Sequence, residues 1–309
     1  MKTGKATGSS IFLLGIFAFC RGSAYSLTTV TLATMSTGTV TFLRLAIGAL
    51  ALLAWAAVVI EDYRWVMRDW KPILVFAVLG NSLPNGLITL GQETVPSGLA
   101  SVMMALTPML SAIIAHFSLE NEKLTSRAVL GLFVGFCGVF LVVCARGKIN
   151  LNAGMICGFV ALTLAALCIA ITIVSMRFFR PTNQHGTATL SLVIASLTLA
   201  PFIHWSDFSK QLPLNVIYSC IALGLICTAL GWLSMIELSK RASAAFMSTV
   251  NYLIPIVGMG IGAMFLSEHI FWTDALALVL IIGGTTLVKG GEARNASTRQ
   301  LAEAAQAPT

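Results

Sequence analysis

Charge is what this sequence has least of. Only 10% of its 309 residues are charged, against about 25% in an ordinary soluble domain. Acidic residues number 12. None lies near the middle of a long apolar run: Glu93 and Glu237 fall at the ends of such runs, and Glu120, Glu122 and Glu268 in or beside the connections. A proton switch built on a mid-membrane carboxylate, as in small cationic-drug antiporters, is therefore unsupported. No glycine-rich phosphate loop is present, so ATP hydrolysis by this chain is unsupported too. The seven cysteines (Cys20, Cys137, Cys144, Cys157, Cys168, Cys220 and Cys227) all lie in apolar stretches. None stands at metal-ligand spacing from a histidine. They read as small buried hydrophobes, with no disulfide, metal or cofactor expected.

The chain is instead 57% hydrophobic. Ten stretches approach the roughly 20 apolar residues a bilayer crossing requires: about 9–30, 37–60, 71–92, 96–117, 127–145, 153–175, 186–204, 214–236, 242–266 and 271–289. The connections are too short to hold a sizeable soluble domain. Helix is the expected state of every span, because lipid cannot satisfy a free backbone and these runs are too long for barrel strands. The first run has lysines before it, as a signal peptide would, but Arg21 interrupts it and no convincing cleavage site follows.

A net charge of +7 invites a nucleic-acid reading, yet its distribution is topological. If connections alternate between two sides, one side carries Lys2, Lys5, Arg64, Arg68, Lys71, Lys123, Arg127, Arg177, Arg180, Lys240, Arg241, Lys289, Arg294 and Arg299. The other carries only Arg146, Lys148 and Lys210. Arg21 and Arg44 sit inside spans. The positive-inside rule then places both termini in the cytoplasm, and the bias supports a count of ten. The expected partners are the bilayer and a small-molecule substrate, without nucleic acid.

The second half repeats the first. Pro108 precedes Glu122, which precedes Gly138; Pro255 precedes Glu268, which precedes Gly284, at nearly the same spacings. Two units of five spans must cross in opposite directions, the inverted-repeat signature of secondary transporters with a site between the halves. The expected organisation is a short cytoplasmic tail over 1–8, one five-helix repeat over 9–145, a second over 153–289, and a disordered cytoplasmic tail over 290–309. Gly131 and Gly135, and Gly258 and Gly262, form small-xxx-small pairs that suit close helix packing. Spans five and ten lack polar residues mid-helix and read as scaffold helices, or as the face of a homodimer.

Polar groups inside the hydrocarbon are the natural site candidates. Arg21, near the middle of span one, needs a wet cavity or a partner, and Tyr25 lies one turn along on the same face. Arg44 has two readings, a structural bond to helix carbonyls or a substrate contact. Asn81, Asn85, Thr89 and Gln92 make one polar stripe on span three, with the kinking Pro84 inside it. This stripe is either a cavity wall or a set of interhelical bonds. Thr228 and Trp232 share a face of span eight, where Trp232 would stack on substrate or pack in the core. Asn251 lies one turn before Pro255, and Thr107 adjoins Pro108. Paired interruptions at matching positions point to a transporter site, making both prolines candidate pivots. With two arginines and no carboxylate inside, the interior field favours neutral, zwitterionic or anionic solutes. A membrane enzyme would have only His116 with Glu120 and Glu122 to work with, and these lack a nucleophile or metal partner. A non-transporting sensor is the other alternative.

These residues resemble the EamA group of the drug/metabolite transporter superfamily. The resemblance rests on Thr41-Phe42-Leu43-Arg44-Leu45, on the small-residue run from Ala100 to Pro108, on Glu122-Lys123-Leu124-Thr125 leading to Gly131 and Gly138, and on Pro255 to Glu268 followed by Gly283-Gly284. It implies ten helices in two inverted five-helix repeats. It also implies a central cavity lined mainly by helices 1, 3, 4, 6, 8 and 9, with 5 and 10 peripheral. The implied activity is export of amino acids, other metabolites or toxic compounds across the bacterial inner membrane; import and multidrug export are alternatives on the same fold. Many members carry Trp-Gly where this chain has Arg21-Gly22, so here a charge replaces an aromatic wall.

Overall fold

The computed structural model describes residues 8–60, 64–119, 124–150, 153–179, 181–209, 211–242, 244–247 and 249–288. Residues 1–7 of the expected first tail, the whole expected second tail and Glu120, Glu122 and Lys123 lie outside them, while Gly8 already opens the first helix. Among the described residues the chain is helical, without strands. Seven helices are long and apolar enough to cross a membrane: α1 (Gly8–Leu32), α2 (Thr37–Val59), α3 (Trp70–Gly91), α4 (Ser97–Ser118), α6 (Ala153–Met176), α7 (Gln184–Phe202) and α8 (Leu214–Arg241). Three further apolar helices are shorter: α5 (Ser126–Leu141), α9 (Val250–Leu266) and α10 (Trp272–Val288). Each of the ten stretches marked in the sequence falls on one of these helices.

Hydroxyls within the helices donate back to carbonyls one turn earlier, as Thr28 does to Ala24 at 2.7 Å and Thr163 to Phe159 at 2.8 Å. This local bond lets a polar side chain sit in an apolar helix without a distant partner. Two helices change pitch midway. Phe76–Ser82 in α3 and Leu223–Leu230 in α8 are π-helical. Phe76 and Leu223 are 147 residues apart, as are Pro108 and Pro255. Pro84 stands inside α3, in the first turn of the α-helical segment that follows the first π stretch.

The chain forms two compact units, and each draws on both halves of the sequence. The larger comprises Met1–Met104 and Asn152–His269. In it α1 packs on α9 and α8, α2 on α7 and the π segment of α8, and α3 on α6 and α7. Polar contacts join helix ends at two poles. At one, Arg241 Nη1 donates to Ser9 Oγ at 3.0 Å, the Thr182 N–H donates to Asp69 at 2.6 Å, and Lys240 meets His185 at 3.1 Å. At the other, the Ser36 N–H donates to Asp207 at 2.9 Å, Thr37 bonds Glu93, and Thr94 Oγ1 donates to the Gly154 carbonyl at 3.1 Å. There too, Glu268 accepts the N–H groups of Ser97 and Gly98 at 2.7 and 2.9 Å. These contacts set directions: α1 and α3 run from the first pole to the second, α6 and α8 the reverse way, and α2 runs opposite to α7.

The smaller unit comprises Ala105–Leu151 and Ile270–Thr309. Here α5 and α10 meet at backbone distance. A Cβ added at Gly131 would lie 2.5 Å from the Gly284 carbonyl oxygen, and one at Gly284 would lie 2.5 Å from that of Gly131. Gly138 faces Ala277 and Ile281 in the same way. Small residues allow the van der Waals contact that replaces a hydrophobic drive between helices in lipid. Pro108 follows a 3-10 turn at Met104–Leu106 and opens the α-helical run Thr107–Ser118. Pro255 differs, lying inside a continuous helix. His116 Nδ1 accepts the Leu124 N–H at 3.1 Å.

Candidate functional site

The larger unit brings Arg21, Tyr25, Arg44 and Thr228 to one junction, where α1 and α2 pack on the π segment of α8. Arg44 does not snorkel. It is 4% exposed, and its Nε donates to Thr228 Oγ1 at 3.4 Å. Gly48, one turn further along α2, makes room for this approach: a Cβ there would lie 2.7 Å from Thr228 Cγ2. From α1, Ser23 Oγ reaches Cys227 Sγ at 3.5 Å. Tyr25 is buried and Arg21 half-buried on the same helix. Ser23 and Arg44 thus meet adjacent residues of the π segment, Cys227 and Thr228, from α1 and α2. Among the described residues of this unit, every carboxylate lies at a pole: Asp69, Glu93, Asp207, Glu237 and Glu268. The junction is thus cationic and has no internal counter-charge.

A second junction repeats the first with different chemistry. The π segment of α3 packs on α6 and α7. Asn81 Nδ2 donates to the Phe76 carbonyl at 2.9 Å and to Ser191 Oγ on α7 at 3.3 Å. Thr228 likewise donates to the Leu223 carbonyl at 2.8 Å. Asn81 and Thr228 are 147 residues apart, and so are Arg44 and Ser191. Each π segment therefore offers one polar side chain that bonds back five residues and forward to the facing helix. At the position matching Arg21 stands Cys168. Positive charge occupies only one of the two equivalent junctions.

The polar stripe of α3 is buried, as a cavity wall or a bonding seam would be. Asn85 Nδ2 donates to the Asn81 carbonyl at 2.8 Å and Thr89 to that of Asn85 at 2.8 Å. Both asparagines thus spend an amide N–H on their own helix. Gln92 crosses to α1, giving its amide to the Tyr25 carbonyl at 2.7 Å and to Thr29 at 3.1 Å; its own oxygen is buried without a partner.

Other expected site residues are placed elsewhere or packed. Trp232 lies half-buried against an apolar cluster of Leu45, Ala49, Leu192 and Ala229, which gives it a packing role. Asn251 is half-buried on α9. The Pro255 carbonyl accepts a 3.4 Å bond from Ser101 Oγ on α4, across the contact that Gly258 keeps open. Pro108 and Thr107 belong to the smaller unit. Sequence reading missed Ser191, the π segments, and the grip of Glu268 on the start of α4. The 147-residue offset, carried from the prolines to the spans before them, is the signal that points to Ser191.

Comparison with known proteins agrees with this architecture. The pattern of the EamA-like transporter family matches residues 8–144 and again 156–290. An uncharacterised transporter of Archaeoglobus fulgidus is 25% identical over 78% of this chain and 85% of its own length. One from Bacillus subtilis is 28% identical over 80% of each chain. A probable terminal-alkyne amino-acid exporter of Streptantibioticus cattleyicolor is 27% identical over 82% of this chain and 86% of its own. A solved crystal structure superposes with a TM-score of 0.63, covering 91% of this chain and 98% of that one at 19% identity, a likeness of fold alone. Two tandem matches that together span nearly the whole chain place this protein in the EamA-like transporter family.

Proposed function

We propose that this transporter is a secondary exporter of amino acids or related small metabolites in the bacterial inner membrane. Ten spans form two inverted five-helix repeats, with both termini in the cytoplasm and the site halfway through the bilayer. The opposite directions of α1 and α6, α2 and α7, and α3 and α8 support the inversion. The observation that carries the substrate reading is the junction of Arg21, Arg44 and Tyr25, charged and facing no carboxylate. A buried guanidinium is costly unless it is paired or wet, and a substrate carboxylate supplies the missing partner. Asn81 and Asn85 offer side-chain oxygens to hydrogen-bond donors on the solute, such as an ammonium group. Tyr25 flanks the bound molecule and Thr228 orients Arg44; Asn251 adds a polar contact. Pro108 and Pro255 act as pivots as the repeats rock to open the site to each side in turn. The name of the Streptantibioticus relative supports the amino-acid class and the outward direction.

The test is flux of radiolabelled amino acids and small organic acids in proteoliposomes, with orientation fixed by protease protection. Saturable flux lost in Arg21→Gln is expected. An absence of flux for every solute in a broad metabolite screen would overturn the reading.

A further inference from the structure

The two equivalent junctions differ in charge. Around α8 stand Arg21 and Arg44; at the matching positions around α3 stand Cys168 and Ser191. The α3 junction holds the thiol of Cys168 and the hydroxyl of Ser191 at these positions, with the amide of Asn81 bonded to Ser191, and no charge on any of the three. The α8 junction holds two cations: Arg44 donates to Thr228 on the π segment, and Arg21 stands two residues before Ser23, whose hydroxyl reaches the adjacent Cys227. Arg44 is almost fully buried, and among the described residues its one hydrogen bond goes to a neutral hydroxyl. Arg21 has no carboxylate partner there either. Lysine would concentrate such a charge on a compact, strongly hydrated ammonium, but guanidinium is planar, delocalised, weakly hydrated and suited to gripping two oxygens at once. Two such charges at one poorly screened junction repel until an anion offsets them.

A zwitterion meets this requirement only in part. Its carboxylate offsets one arginine, while its ammonium adds a positive charge to an interior that has no acid to receive it. A solute with two negative charges offsets both. We propose that Arg21 and Arg44 form a single oxyanion subsite, and that the transported solute is net anionic, its carboxylate or phosphate groups spanning both guanidinium groups. This rests on the reading of the chain as a transporter of small metabolites and narrows that class to its anionic members. Outward movement of such a solute also runs with an inside-negative membrane potential, so export then needs no proton-carrying carboxylate in the site. None is present among the described residues of the membrane interior.

The experiment uses the full-length protein in detergent, titrated with succinate, glycerol phosphate and alanine at constant ionic strength. Binding is read by calorimetry and by thermal shift. Succinate or glycerol phosphate is expected to bind at least tenfold more tightly than alanine, and whichever of the two wins identifies the head group. Arg21→Gln and Arg44→Gln should each weaken that anion at least tenfold. The double variant should be no weaker than the poorer single one, because both arginines hold one ligand. Arg44→Lys, which keeps the charge and guards against a folding defect, should recover part of the loss. Equal binding of alanine and the anions, or anion binding unchanged in Arg21→Gln, would overturn the subsite. Alanine flux in proteoliposomes with that same insensitivity would sink the anionic assignment and leave transport standing; no flux of any solute by the native protein would sink both.

Discussion

Arg44 on α2 donates to Thr228 on α8 at 3.4 Å, and 147 residues along the chain the same two positions are held by Ser191 and Asn81, joined at 3.3 Å with the donor exchanged. Duplication kept the contact and changed its chemistry. In one copy the pair aims a cation; in the other it ties two neutral groups. Thr228→Val would remove the hydroxyl that holds the guanidinium while keeping the side-chain volume. We expect the KM for the transported solute to rise about tenfold, the worth of one hydrogen bond near 1.4 kcal/mol. Ser191→Ala should leave KM within about threefold, since it carries no charge toward substrate. Both values come from initial rates in proteoliposomes.

Glu268 grips the first turn of α4 through two backbone N–H groups. Carboxylates at helix N-termini answer both the orphan donors and the helix dipole. Glu268→Ala strands two N–H groups and should cost about 1.5–3 kcal/mol. Glu268→Gln, which keeps one acceptor oxygen, should cost less. Thermal unfolding in detergent reads this order, and equal melting of all three proteins would refute the cap.

Packing in the smaller unit makes a sharper demand. Any side chain at Gly131 or Gly284 meets a carbonyl oxygen of the other helix, and backbone cannot yield as a flexible side chain does. We expect Gly131→Leu to separate α5 from α10 and to lower the yield of folded protein several-fold by size-exclusion profile. Gly283→Ala is the contrast: nothing lies within 4 Å of a Cβ there, so the profile should not change.

Topology is open to direct labelling. In a cysteine-free background, single cysteines at Lys123 and Trp272 are expected to react from opposite faces of the membrane. Trp272 is 74% exposed, so its accessibility is not limited by packing. Reaction of both from one face would remove the inversion and the mid-membrane site with it.

Much of the architecture is legible along the chain because the solvent is lipid. Every backbone group must bond within its own segment, so an apolar run of sufficient length already means a helix. Arg21 and Arg44 stood out for the same reason, since charge is costly in hydrocarbon. Partners were not legible. The spacing of Asn81, Asn85 and Thr89 leaves a cavity wall and interhelical bonding both open; in the structure each donates to its own helix, Asn81 across the five-residue step of the π segment, and Asn81 also bonds Ser191. The spacing of Trp232 leaves stacking on substrate and core packing both open; in the structure an apolar cluster from α2, α7 and α8 lies against it.

Composition and periodicity by themselves determined a ten-helix reading, its duplication and the scarcity of internal acid, because these follow from the transfer cost of each residue into lipid. Only the tertiary structure decided that Arg44 turns inward to Thr228, that Glu268 holds α4, and that the two halves interleave within each compact unit. The physical reason is that such contacts join residues some 170 or more positions apart, and no local rule of spacing or hydropathy specifies which helix will face which.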